Sequence, residues 1–295
     1  MLDYRVETFL KVCETMNYTR ASKALNITQP AVSQHIHYLE NYYGVTLFRY
    51  ENKTLRLTAA GELLRDRLRV MQNDELALTK EIRQGDSGNL PLSLGVTMTV
   101  GEYAVVKPLA EYIRRHPERN VRLRFGNTAQ LLQLLRAGEI QLALVEGYYP
   151  QDEYEHFPYS MENFIAVRGA QYTLERPEIQ SFSDLLRERL LVRERGSGTR
   201  NILERCLAVQ GLEIDDFPRQ IQVENMHTII DLLTEGCGIS FLYEIAVREE
   251  LASGQIEKIQ IPGVHMTHAF DFIWEKGSVY GARCRAFGEE LKSLR

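Results

Sequence analysis

The sequence predicts three consecutive parts: a small all-α domain with a two-stranded hairpin (residues 1–58), a long helix with a hinge (59–88), and a two-lobed α/β domain (89–295). Three observations predict them. Short, capped helical patterns and a basic hairpin fill the first sixty residues. A stripe of apolar residues then runs through residues 58–84 on four- and three-residue steps. From residue 90 onward short apolar runs alternate with helical patterns, the rhythm of a parallel sheet flanked by helices.

At 295 residues the chain is too long for one average domain, and its 44% hydrophobic and 25% charged residues suffice for real cores. No run approaches the roughly 18 apolar residues of a membrane span. The start has neither the basic lead nor the small-residue cleavage site of a signal peptide. A cytoplasmic protein with no membrane partner is expected. Cys13, Cys206, Cys237 and Cys284 lie far apart and form no CxxC pair, so neither a disulfide framework nor a metal site is expected. Net charge is −5, yet residues 1–60 carry seven Lys/Arg against five Asp/Glu, a local +2. The acidity belongs to the remainder and leaves a nucleic-acid contact open.

In the first domain Val6, Phe9, Leu10, Cys13 and Met16 mark the buried face of one helix. Thr19 is placed to cap a second helix over 20–25, where Ala21 and Ala24 permit a close crossing. After the Asn26-Ile27 turn, Thr28 caps a third helix with Pro30 in its first turn, where a missing N–H costs little. That helix buries Val32, Ile36, Leu39 and Tyr43. Its other face presents Gln29, Ser33 and His37, with Pro30 and Gln34 alongside.

A short, uncharged, hydrogen-bonding face suits a major-groove reader. Gln pairs with adenine bidentately, Ser donates or accepts, and none of these side chains repels phosphate. The helix N-terminus at Thr28 can seat a phosphate. Gly44 stops the helix, and residues 45–57 form a two-stranded wing with Arg49, Lys53 and Arg56 set for the DNA backbone or minor groove. Thr19 and Arg20 complete the candidate DNA-contacting set. Residue by residue this is an ordinary solvated helix face; as an ordered set it is a winged helix-turn-helix.

The stretch YTRASKALNITQPAVSQHIHYLENYYGVTLFRYENKTLRLTAAGE resembles the signature of LysR-type transcriptional regulators. The family's Thr-Gln-Pro-Ala-Val-Ser, Leu-Glu, Gly-Val-x-Leu-Phe and Leu-Thr-x-Ala-Gly follow in order. The chain departs in carrying His35 and His37 near positions where the family has basic residues, and Arg49-Tyr50 after Leu-Phe. The resemblance implies that Gln29 and Ser33 read the groove of double-stranded promoter DNA. It also implies a homodimer paired again into a homotetramer, with RNA polymerase as a partner.

In the long helix Leu64, Leu68, Met71, Leu78 and Ile82 fall on coiled-coil steps, with Glu75 at the skipped position. Packing on its own chain would bury such a seam, but so would a second copy. The resemblance favours the copy, since this helix is the family's dimer arm. Gly85-Asp86-Ser87-Gly88 reads as a hinge.

In the third part strands are expected at 92–96, 121–125 and 140–145, with helices at 105–115 and 128–136 between them. Strands at 190–192 and 239–242 and helices at 199–210 and 226–233 make a second such unit, and 268–274 adds a strand. Lobe I is expected over about 89–162 and 267–295, with the polar C-terminal helix packed back on it, and lobe II over 163–266. The resemblance makes this a periplasmic-binding-protein-like effector domain. Ligands of open α/β sheets sit at strand C-terminal ends. Thr97, Met98 and Thr99 follow one strand there, Asn127 and Thr128 the next, and Arg193, Ser197, Gly198 and Thr199 the first strand of lobe II. Hydroxyls at helix N-termini, and glycines that admit close approach, point to a small anion as effector. The same residues would also serve as plain helix caps. The 193–200 stretch resembles regulators of sulfur assimilation and carbon fixation.

Three other classes fit the sequence less well. An enzyme is disfavoured because GxSxG, HExxH, Walker and GxGxxG patterns are missing, and no cofactor is expected. A transported solute binder would have no use for residues 1–60. A redox sensor would act through Cys206 and Cys237, but both lie beside apolar positions that suit inert core thiols.

Overall fold

The computed structural model describes residues 2–84 and 92–295. The expected hinge at 85–88 lies outside the described residues. The chain falls into two units, Met1–Gly88 with Lys276–Val279, and Asn89–Glu275 with Tyr280–Arg295.

In the first unit helix α1 (Tyr4–Thr15) is capped by Asp3, which accepts from the Arg5 N–H at 2.8 Å. Helix α2 (Tyr18–Leu25) begins two residues earlier than Thr19 suggests. Asn17 is extended and its side chain accepts from the Arg20 N–H at 2.9 Å, so Asn17, not Thr19, is the cap. Helix α3 (Gln29–Tyr43) starts at Thr28, whose hydroxyl accepts from the Ala31 N–H, and ends at Gly44 with φ +69°. Val32, Ile36 and Leu39 are buried as the spacing requires, but Tyr43 is 46% exposed: the last turn of α3 outruns the core, and its ring lies edge-on to Tyr42.

Strands β1 (Phe48–Glu51) and β2 (Thr54–Leu57) form the wing. Asn52 and Lys53 both take positive φ between them, the two-residue turn whose twist matches the strands. The hydroxyl of Thr58 accepts from the Gly61 N–H at 3.0 Å and opens helix α4 (Ala59–Gln84).

Here the coiled-coil expectation divides. Leu68 is buried with Phe9 and Leu47 in the head's own core, and Leu64 packs against that core. Met71, Leu78 and Ile82 are each about half exposed or more. Glu75, the break in the stripe, accepts from the Leu2 N–H at 3.1 and 3.2 Å. The first two seam positions therefore serve the chain itself, and only the C-terminal part of the helix offers an apolar edge.

In the second unit β3 (Leu92–Val96) leads through a π-helical turn (Val100–Ala104) into α5 (Val106–Arg115). Then come β4 (Val121–Phe125), α6 (Thr128–Arg136), β5 (Leu142–Val145) and the long β6 (Tyr154–Gly169). The other lobe holds α7 (Phe182–Leu185), β7 (Arg189–Arg193), α8 (Gly198–Val209), β8 (Arg219–Val223), α9 (Met226–Thr234), β9 (Ile239–Tyr243), α10 (Arg248–Ser253) and β10 (Ile256–Lys258). Strand β11 (Met266–Glu275) returns beside β6, and α11 (Gly281–Ser293) packs on α5, β6 and β11.

The strand order is β4-β3-β5-β11-β6-β9-β7-β8, with β10 on β6. In each lobe the first strand lies between its two parallel partners: β3 between β4 and β5, β7 between β8 and β9. The strand order reverses beside β3 and β7, which makes the C-terminal ends of those two strands the topological switch points. The antiparallel pair β6–β11 joins the lobes, with a bulge opposite Phe270/Asp271. Pro158 sits at that bulge, where its missing N–H is tolerated.

A Cβ on Gly169, at the end of β6, would lie 1.8 Å from the Leu233 carbonyl oxygen. Gly169→Ala should therefore destabilise this domain by about 2–3 kcal/mol, read as a lower midpoint in urea unfolding. Gly211→Asn, at positive φ with open space around it, should cost less than about 1 kcal/mol.

Candidate functional site

The head presents α3 as expected. Gln29, Pro30, Gln34 and His37 are exposed and Ser33 is half-buried. Gln29 Nε2 donates to Ser33 Oγ at 3.0 Å, so the two candidate readers form one polar unit. Glu40 faces His37 Nδ1 at 3.4 Å and accepts from the Leu47 N–H, tying the end of the face to the wing. Thr19 and Arg20 are exposed at the start of α2, and Thr28 serves as the α3 cap.

On the wing, Arg49 and Arg56 both reach Glu51, at 3.0 and 3.3 Å, while Lys53 stands exposed at the hairpin tip. His35 turns inward. Its Nδ1 lies 2.9 Å from Thr8 Oγ1, its ring packs on Tyr4, and burial lowers its pKa, which favours the neutral ring.

In the second unit the candidate hydroxyls converge on a residue that the sequence reading missed. Thr97 directly follows β3, Thr99 lies in the following turn, and Thr199 lies in the first turn of α8 on the other lobe. Thr97 Oγ1 donates to Glu146 Oε2 at 3.2 Å; Thr99 and Thr199 donate to Oε1 at 3.2 and 3.0 Å. Glu146 is 1% exposed, and its backbone carbonyl accepts from Tyr243 Oη at 3.2 Å. No side chain caps α8. Instead the Glu146 side chain lies against its first turn: a Cβ on Gly198 would come within 2.5 Å of Glu146 Cγ and 2.9 Å of the Gly147 nitrogen. Burial pushes the Glu146 carboxyl up, against the opposing pull of the Arg193 guanidinium and the three hydroxyls. The signal for this residue was present: Glu146 is the charged residue that closes the wholly buried strand β5.

The other candidates surround this centre. Thr128 Oγ1, Ser197 Oγ and Arg193 Nη1 are buried and lack a hydrogen-bond partner among the described residues. Arg193 Nε and Nη2 are held by Glu194 at 2.8 and 3.2 Å. Asn127 caps α6 in a reciprocal pair with Gln130. Met98, Asn127, Gln130, Arg193 and Gln222 border a cavity of about 710 Å³ between the lobes. Further bridges between the lobes run from Tyr103 Oη to His227 Nδ1 (3.1 Å) and from the Arg205 guanidinium to the Tyr148 ring (3.3 Å).

Two family models match this chain: "Bacterial regulatory helix-turn-helix protein, lysR family" over residues 4–62, and "LysR substrate binding domain" over 84–295. The chain belongs to the LysR family. It is a DNA-binding transcriptional regulator with a domain for a small-molecule effector, and no enzyme. Regulators of this family form oligomers. Its relatives include the HTH-type transcriptional regulator CysL of Bacillus subtilis, 27% identical over 275 residues, covering 91% of this chain and 89% of that protein. The transcriptional activator CmpR of Synechocystis sp. is 27% identical over 292 residues, covering 98% and 94%. The regulatory domain of Synechocystis CcmR in complex with 2-PG shares the fold, with a TM-score of 0.61 at 20% identity over 69% of this chain and 96% of that one.

Among the described residues no group of three His, Cys, Asp or Glu could hold a metal ion, and no helix is long and apolar enough to cross a membrane. Burial pushes the Cys206 thiol up, away from the thiolate that oxidation requires, and both Cys206 and Cys237 are free.

Because α8 meets the other lobe at a glycine, Gly198→Ala should hold the LysR effector domain open. Limited proteolysis should cut this variant faster than wild type, and small-angle scattering should give a larger radius of gyration.

Proposed function

We propose that this LysR-type regulator reads promoter DNA with α3 and closes its two lobes on a small effector that carries an anionic group. The observation that carries the effector reading is the meeting of hydroxyls from both lobes at one buried point, ringed by buried donors without acceptors. An effector oxyanion would accept from Arg193 Nη1, Ser197 Oγ and Thr128 Oγ1, and CcmR, a structural relative, holds 2-PG in its regulatory domain. An effector that prefers the closed lobes shifts the open–closed population by that difference in affinity and no more. Thr97, Met98, Thr99, Asn127, Gly198 and Thr199 form the walls of the site. The exposed C-terminal edge of α4 pairs two copies, and dimers pair into a tetramer that engages RNA polymerase in the cytoplasm.

Gln29 and Ser33, with Pro30, Gln34 and His37 beside them, read base edges. Thr19, Arg20, Thr28, Arg49, Lys53 and Arg56 hold phosphates. The test is retention of sheared genomic DNA from the source organism by the purified protein, followed by sequencing. A few promoter regions sharing a pseudo-palindrome should be enriched; uniform retention would refute sequence-specific reading.

Gln29→Ala with Ser33→Ala should abolish this enrichment while leaving salt-dependent binding in place. Lys53→Ala should weaken all sequences alike and lower the salt slope by about 1. Ser197→Ala should weaken the effector response roughly tenfold, the worth of one hydrogen bond to a charged group, with DNA affinity nearly unchanged in a filter-binding assay.

A further inference from the structure

Glu146 is a buried titratable group at the seam of the two lobes, 1% exposed. Its own lobe gives its carboxyl the hydroxyls of Thr97 and Thr99. The other lobe gives it Thr199 and gives its backbone carbonyl Tyr243 Oη. The first turn of α8 covers it so closely that a Cβ on Gly198 would lie 2.5 Å from Glu146 Cγ. Opening the lobes withdraws Thr199, Tyr243 and that cover together, and water then reaches the carboxyl.

No cation is bonded to the enclosed group. Arg193 on β7 supplies a positive field, but its Nε and Nη2 are held by Glu194 and its Nη1 meets no acceptor among the described residues. Arg200 on α8 is engaged by Glu204, Gln222 and the Arg193 carbonyl. Other titratable groups on the surrounding elements are likewise turned to partners of their own. Asp271 on β11 takes the Tyr149 hydroxyl, Glu102 in the turn after β3 faces His227, and the Tyr148 ring carries Arg205. Burial keeps the Tyr243 phenol protonated. A carboxylate enclosed this way, with hydroxyls alone bonded to it, is disfavoured against the neutral acid.

The hydrogen bonds suit the acid. Thr99 and Thr199 both reach Oε1, which accepts two bonds as a carbonyl oxygen does, while Thr97 alone reaches Oε2. With a proton on Oε2, that O–H donates to Thr97 Oγ1, whose hydroxyl turns to accept. All three contacts survive the change.

We propose that Glu146 is the proton-binding site of lobe closure: the closed lobes hold it as a neutral acid, and opening releases its proton to water. Burial raises its pKa in the closed state, against the pull of Arg193 and the three hydroxyls. Closure is therefore fully supported below the ordinary carboxylate range and loses that support as pH rises through the raised value. The loss is at most about tenfold in the closure constant per pH unit, the limit for one proton. On the reading of the cleft as the effector site, an anionic effector is taken up together with a proton.

The test uses the full-length protein without effector, with two readouts taken as pH is raised from the ordinary carboxylate range. Infrared difference spectra against Glu146→Gln isolate the carbonyl band of the protonated Glu146 side chain. Small-angle scattering gives the radius of gyration. In wild type the band should fade above the ordinary carboxylate range, with the radius growing over the same interval. Glu146→Gln keeps the shape and hydrogen bonds of the neutral acid and should stay compact throughout. In Gly198→Ala, measured against its own Glu146→Gln counterpart, the band should fade at lower pH than in wild type.

The proposal is overturned if the wild-type band fades within the ordinary carboxylate range, or if it fades at the same pH in Gly198→Ala. It is equally overturned if the wild-type radius ignores pH, or if Glu146→Gln follows pH as wild type does. Should Gly198→Ala fail to fold, wild type against Glu146→Gln decides alone. Neither readout involves an effector, so a failure here leaves the effector reading standing.

Discussion

The α/β domain is organised around one buried carboxylate. Glu146 follows β5, beside the switch point at the end of β3, and its partners come from both lobes. Burying a carboxyl group this completely is costly unless hydrogen bonds replace the lost water. Three threonine hydroxyls do so here, with the Arg193 guanidinium adding an attractive field. Each of these partners must therefore sit within hydrogen-bond reach of a single point. That constraint explains why Gly147 and Gly198 face each other: a Cβ on Gly198 would lie 2.5 Å from Glu146 Cγ on the opposite lobe, and one on Gly147 would lie 2.4 Å from Thr128 Oγ1 and 3.0 Å from Gly198 Cα. It also explains why α8 needs no side-chain cap of its own.

The sheet makes this convergence possible. Strands β6 and β11 pair along almost their whole common length and carry the chain from one lobe to the other. Three-stranded parallel units flank them with the same internal order, so two helix N-termini and two strand ends meet across one cleft. Side chains of Phe157, Phe272 and Trp274 stack along this crossing and belong to one continuous core with residues of both lobes. Stacked and edge-on aromatic pairs add specificity of orientation to the area they bury. The crossing is thus a well-packed element about which open and closed arrangements can differ.

In the DNA-binding unit, economy of a different kind operates. Helix α4 spends Leu64 and Leu68 on the head's core and keeps Met71, Leu78 and Ile82 at its surface. One helix thereby stabilises the fold that reads DNA and offers an edge to another copy. Glu75 pins the N-terminal segment through the Leu2 N–H, which accounts for a charge in the middle of an apolar stripe. The wing arginines share Glu51, so their guanidinium groups are held ready yet partly neutralised until a phosphate competes for them.

Much of this was legible in the amino-acid order. Caps, glycine stops and three- or four-residue steps are local signals, and they located α3 at Thr28 and Gly44, the hairpin within residues 45–57, and strands β3 and β4. The signature from Tyr18 to Glu62 identified the family for the same reason: its residues are contiguous. Strand β6 escaped because Pro158 and a bulge interrupt its alternation, and β8 because its face is polar and exposed at a sheet edge. What only the tertiary structure decided is which distant residues share a point. Thr97, Thr99, Glu146 and Thr199 span about a hundred residues, and no local pattern says that the hydroxyls would serve a carboxylate of the chain itself. Hydrogen bonds across such separations follow from sheet topology and lobe packing, which a one-dimensional pattern of polar and apolar residues does not encode.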